Sequence, residues 1–302
     1  MTTPTLFPAR QVPLGGIRGS TVYRTLPQRE LPTVGAWCFL DQGVPGEPAA
    51  KVLPHPHIGL QTVTWMFDGT IRHRDSLGTD ATVRAGALNL MTAGHGIAHS
   101  EYPMVPGMEF AAVQLWIALP EHARHGASAF EQLRELPAVA LAGMRATVLI
   151  GDFAGVHSPA TVHTPMVGVD LRLEPGAALK LPLRPDFEHA LYPVSGSLLA
   201  ADTTLGARTL AYFPTGPDVL TVRAGENGCH CLLLGGAPLG EDLVMWWNFV
   251  ARTHEEVAQA RADWESGDGR FGHIPGHGAE RIPAPPLPGV RLTPRRRRPP
   301  HH

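Results

Sequence analysis

Residues 54–69 read PHPHIGLQTVTWMFDG. Residues 60–67 are rich in β-branched, aromatic and aliphatic side chains and are bounded by Gly59 and by Asp68-Gly69, so they are expected to form a strand. In extended chain, residues i and i+2 point to the same face, so His55 and His57 project together. Residues 93–101, AGHGIAHSE, repeat the device with His99 and Glu101. If the two segments pair or face each other across a barrel, four donor side chains converge. Imidazole and carboxylate together suit a divalent Fe, Mn, Ni, Cu or Zn ion. The lack of thiolates argues against a structural zinc site. Four protein ligands on an octahedral ion leave positions for water, substrate or dioxygen. A lone H-x-H pair more commonly only hydrogen-bonds, and it is the second pair, H-x-E, that points to a metal.

Working outward, residues 34–40, 87–91 and 110–118 carry the same strand signature, and residues 121–137 read as a helical or irregular connector. A second strand-rich block runs from residue 146 to 234, with strands expected at 167–173, 190–194, 198–201, 209–213 and 231–234. The segment TWMFDG at 64–69 resembles LYPVSG at 191–196, each read as a strand ending at a turn glycine, which suggests an internal duplication. Aligning Gly69 with Gly196 places Pro182 and Arg184 opposite His55 and His57. The later block also has no H-x-E pair, so one metal per chain is expected. Thr253 and Glu256 fit a capping box opening a helix over 255–265. The fold class expected is all-β: two tandem β-barrels with a short C-terminal helix. The expected domains are 1–135 with the metal, 136–267 without metal and ending in the helix, and a disordered Pro/Arg-rich tail over 268–302.

Composition narrows the function classes. The 302 residues carry a formal net charge of -2, so no global basic field favours nucleic acid. Hydrophobic residues make up 43%, enough for packed cores, and 33 Gly with 30 Pro favour many short elements over a helix bundle. No charged n-region with an apolar run opens the chain, and no stretch reaches the ~20 apolar residues of a membrane helix. Cys38, Cys229 and Cys231 form no disulfide framework, which fits a reducing, cytoplasmic setting. Cys229-His230-Cys231 reads as a buried strand rather than a metal motif. His73-Arg74-Asp75 matches a kinase loop only superficially, since no glycine-rich phosphate loop accompanies it. His73 is expected at the pocket mouth. Trp246, Trp247 and Phe249 read as anchors for the last helix, and the arginine run at 295–298 as a solvated tail.

The segments HPHIGLQTVTWMFDG, HRDSLGT and AGHGIAHSE together resemble the pirin family of the cupin superfamily. So do VGAWCFLDQG and VQLWIALP, and the GGAPLGE stretch that leads into WWNFV and a helix. The resemblance covers residues 10–265 approximately. It implies a bicupin whose N-terminal barrel holds one ion, usually iron, on His55, His57, His99 and Glu101. Gln61 and His95 depart from the family pattern of Glu and Arg, and both are expected near the metal. Some members are quercetinases that open flavonols with dioxygen. That role implies a small phenolic substrate in a mostly apolar pocket, with Glu101 as general base. The alternative is a non-catalytic, metal-dependent regulator that binds transcription factors or metabolic enzymes.

Overall fold

The computed structural model describes residues 3–14 and 21–295. The arginine run lies, past Arg295, outside the described residues. Strands dominate, and the single helix among the described residues is His254–Ser266. It opens on the expected box: Glu256 N–H donates to the Thr253 hydroxyl, and the Glu256 carboxylate accepts from the Thr253 N–H. It closes at Gly267 with φ 70°, a left-handed cap that glycine adopts without strain.

The chain divides into two compact units whose segments alternate in sequence. One comprises Val12–Val22, Gly43–Gln132 and Gly240–His302; the other comprises Met1–Gln11, Tyr23–Gln42 and Leu133–Leu239. These interleaved units differ from the sequential boundaries expected at 135 and 267. The helix belongs with the unit that carries His55 to Glu101, because Val257, Ala260 and Trp264 bury in one apolar cluster with Ile58, Ala98 and Phe249. Within the tail expected to be disordered, residues 268–295 are described and docked. Phe271, Ile274 and Ala284 join that cluster, the Trp264 indole donates to Ile282 O at 2.8 Å, and Ile282 N–H donates to Pro54 O at 2.8 Å. A few well-placed apolar groups suffice to dock a tail of polar composition.

In the unit bearing the histidines, one antiparallel sheet runs Val52–His57, Ile97–Pro103, Thr70–Asp75, Asp80–Arg84. Leu60–Met66, buried along its whole length, pairs on one side with Leu88–Thr92 and on the other with Ala112–Ala118. The link from Leu60–Met66 to Thr70–Asp75 turns at Gly69, φ 80°.

The second unit is built on the long strands Glu188–Ala200 and Val219–Gly236, with Met166–Leu173 and Met144–Phe153 beyond. Thr5–Pro8 pairs with Thr209–Phe213 in the same sheet. Gly196 does not end a strand. It sits at a bulge inside Glu188–Ala200, φ 74°, where a Cβ would meet Gly228 O at 2.3 Å. The strands expected at 190–194 and 198–201 are therefore one bent strand. The connector at 121–137 is also corrected. After a turn it forms the strand Ala129–Leu133, which brings Phe130 to the site described below.

Candidate metal centre

Alternation places the donors as expected up to one irregularity. His99 lies opposite His55 in the antiparallel pair of Ile97–Pro103 with Val52–His57, and then the register shifts, so Glu101 lies opposite Val52. The strand Val52–His57 thus has an extra residue against Ser100, a bulge that moves Glu101 along relative to the imidazoles.

Donor atoms of His55, His57 and His99 all lie within 4.8 Å of one another, and all three residues are buried. His57 Nε2 and His99 Nε2 are 3.1 Å apart. Glu101, half-buried, gathers with His99 and with His73 in a second group of the same size. The structure therefore brings the four predicted residues together around His99 and adds His73, which is buried rather than at a pocket mouth. His73 is stacked on Phe130 with centroids 4.5 Å apart.

Backbone and side chains fix the rings. His55 Nδ1 donates to Leu53 O at 2.9 Å, and His57 Nδ1 donates to Asn248 O at 3.1 Å. The His57 ring meets Trp116 edge-on at 5.3 Å. Burial, reinforced by the neighbouring histidines, holds the His57 and His99 rings well below the ordinary imidazole pKa. Burial pushes the Glu101 carboxyl up, against His73 and a hydrogen bond from Thr64. The Thr64 hydroxyl lies 3.3 Å from Glu101 Oε1 and 2.9 Å from Gln114 Oε1.

This donor set fits a transition metal. When His57 and His99 both carry their protons on Nδ1, their Nε2 lone pairs face each other at 3.1 Å. A cation between them relieves that repulsion. Metal–nitrogen bonds of about 2.1 Å at neighbouring octahedral corners put two nitrogens about 3.0 Å apart, close to the separation seen.

Several residues lie elsewhere than expected. His95 is exposed on a turn, beside His125 and Arg270, away from the imidazole cluster. Gln61 is buried, but it donates to Thr92 and by alternation faces opposite to Thr62 and Thr64. Asn248, Phe130 and Asp75 were not anticipated in the site. Asn248 serves through a carbonyl, which no side-chain motif reports, and Phe130 arrives on a strand read as a connector. Asp75 was legible in the HRD triplet, since His73 and Asp75 share a face at i and i+2. Cys229 and Cys231 lie in the second unit's apolar core, while His230 turns to Asp170 at 2.9 Å.

A β-rich chain with a buried histidine cluster of this kind has the attributes of a cupin-type metal-binding protein. The pirin family model matches residues 19–117, and the model of the pirin C-terminal cupin domain matches 168–272. The chain belongs to the pirin family and is built of two cupin domains. It is 44% identical, over 93% of its length and 89% of the relative's, to a Pseudomonas aeruginosa protein described as a "putative quercetin 2,3-dioxygenase". It is 36% identical to a pirin-like protein of Caulobacter vibrioides, covering 87% of this chain and 93% of that one. A crystal structure of quercetin 2,3-dioxygenase from Acinetobacter baumannii superposes with a TM-score of 0.92 at 40% identity, covering 97% of this chain and 98% of the other. No helix among the described residues is long and apolar enough to cross a membrane.

Proposed function

We propose that this chain holds one divalent transition metal, Fe(II) in preference to Mn, Ni, Cu or Zn, on His55, His57, His99 and Glu101. We propose further that it is a quercetinase-type dioxygenase acting on flavonols or related phenolics. The observation that carries the reading is the set of three buried imidazoles, with two Nε2 atoms 3.1 Å apart and the Nδ1 atoms of His55 and His57 tied to carbonyls. The kinship with relatives named as quercetin 2,3-dioxygenases supports the choice of chemistry.

When bound, such an ion acidifies a coordinated hydroxyl and supplies an electron-accepting and electron-donating centre for dioxygen chemistry. The chain's own residues do the rest. Glu101 accepts the proton of the substrate hydroxyl at its carboxylate. Thr64, shared between Glu101 and Gln114, limits the rotation of that carboxylate. Trp116 meets His57 edge-on and Phe130 stacks on His73, so both place aromatic carbon beside the imidazoles.

The test is loss of the flavonol absorption band, with oxygen uptake, by iron-loaded protein in air. Glu101→Gln keeps an oxygen donor but removes the base, so activity per bound metal falls by about 10²–10⁴-fold. Equal activity per metal removes Glu101 from proton transfer. Absence of turnover in both proteins across a range of phenolics favours the regulatory reading, in which the ion shapes a surface for a protein partner.

A further inference from the structure

His55 and His57 owe their ring orientation to carbonyl oxygens, which can only accept. Each therefore carries its proton on Nδ1 and keeps the Nε2 lone pair. For His99 the structure shows a different arrangement. Its Nδ1 faces another imidazole nitrogen, His73 Nδ1, at 3.3 Å. Between two such nitrogens, which one holds the proton is decided one step further out.

Asp75 makes that decision. Its Oδ2 lies 3.2 Å from His73 Nε2. A carboxylate accepts, so His73 Nε2 donates, and the neutral His73 ring then presents a lone pair at Nδ1. His99 Nδ1–H donates to it, which frees His99 Nε2 to face His57 Nε2. The Asp75 carboxylate is itself locked, because its Oδ1 accepts the N–H groups of Leu77 at 2.9 Å and Thr79 at 3.1 Å. Phe130 stacked on His73 opposes a ring flip. Asp75 and His73 are both buried, so water offers little substitute for either partner. Burial raises the Asp75 carboxyl, but the hydrogen bonds it accepts from His73 and Thr79 outweigh that and hold it below the usual range.

We propose that Asp75 and His73 form a relay of positioning residues that fixes the tautomer of His99 and thereby presents its Nε2 for ligation. This rests on the metal reading above, with His99 as a ligand and His73 outside the ligand set. Ligand orientation by an outer partner is a general device of metal sites, and its loss costs about 10–100-fold in affinity. Here the outer partner of one ligand is a second histidine, disciplined in turn by a carboxylate whose other oxygen caps a turn.

The decisive variant is Asp75→Asn. The single carbonyl oxygen of Asn stays with the Leu77 and Thr79 N–H groups, which turns the amide NH₂ toward His73 Nε2. His73 then carries its proton on Nδ1, pointing at His99, and the His99 proton is driven to Nε2, the ligating atom. Two readouts are needed. The first is the long-range ¹H–¹⁵N spectrum of the histidine rings in metal-free protein at pH 8. It should show His99 as the Nδ1–H tautomer in wild type and as Nε2–H in Asp75→Asn. The second is the zinc dissociation constant by chelator competition, which should weaken about 10–100-fold in Asp75→Asn. In a His73→Phe background, Asp75→Asn should add nothing further.

Several outcomes overturn the relay: wild-type His99 protonated on Nε2, an unchanged tautomer and zinc affinity in Asp75→Asn, or an additive effect of the two substitutions. The wild-type spectrum needs no variant to fold. Wild-type protein that fails to bind zinc, iron or manganese removes the metal reading, while the metal-free spectrum still decides the relay.

Discussion

In the histidine-bearing unit, Thr70–Asp75 sends Ile71, His73 and Asp75 to its buried face. In the second unit, the first half of Val219–Gly236 alternates in the same way but buries Leu220, Val222 and Ala224. The backbone period is identical, and what differs is whether the inward positions are polar. Leu181, Leu183, Leu191, Phe213 and Leu233 fill the second interior with hydrocarbon. The positions aligned with the first histidines, Pro182 and Arg184, fall beside Leu181 and Leu183, and Arg184 pairs with Asp186. A polar interior is costly unless each group has a partner. In the first unit the partners are present: carbonyls for His55 and His57, His73 for His99, Thr64 for Glu101. The comparison assigns ligand chemistry to one interior and stability to the other.

The largest effect should come from breaking the polar interior. His57→Ala removes one nitrogen donor and should weaken metal binding by more than about 100-fold, beyond what loss of an outer partner costs. The metal-free protein should keep its fold, which rests on apolar burial, with a lower unfolding midpoint from the cavity and the unpaired Asn248 carbonyl left behind. Chelator competition and thermal denaturation check the two halves separately. The reciprocal substitution in the second unit, Leu181→Ala, should do the opposite. A fully buried leucine truncated to alanine costs about 2–5 kcal/mol, measurable by denaturant unfolding, while metal content stays as in wild type.

A smaller effect sharpens where the histidine-bearing unit ends. Removing residues 268–302 strips Phe271, Ile274 and Ala284 from the cluster around the helix, along with the Ile282–Pro54 hydrogen bond. The melting temperature should fall.

The smallest effect is a pH dependence. The native pKa values of His57 and His99 are lowered well below the ordinary value, and that of His189 is lowered to about 4, by burial in each case. Between those native values and the unfolded value of about 6.5, the unfolded chain binds protons that the native protein does not. Stability of the metal-free protein therefore rises with pH through this window and declines as pH drops from 7 to 5. A flat profile in that range contradicts the burial of these rings as neutral groups.

Much of this architecture was legible in sequence because it depends on short-range rules. Strand alternation puts His55 with His57 and His99 with Glu101, and the Thr253–Glu256 box starts the helix where it is found. What escaped depends on long-range partners. The Asn248 carbonyl reaches His57 across 191 positions of chain. The bulge that displaces Glu101 is a property of pairing, not of either strand alone. In sequence a glycine signals a turn and a bulge equally well, and at Gly196 only the pairing of the long strands decides for the bulge. The docking of the tail is invisible to composition, which averages over the few apolar residues that anchor it.

The most direct test of the central claim is elemental analysis of protein purified without affinity-tag histidines and dialysed against a weak chelator. One polar interior and one hydrocarbon interior predict about one tightly held transition-metal ion per chain, lost in His57→Ala. Two tightly held ions per chain, or a full complement retained by His57→Ala, would contradict the assignment of metal chemistry to the imidazole cluster alone.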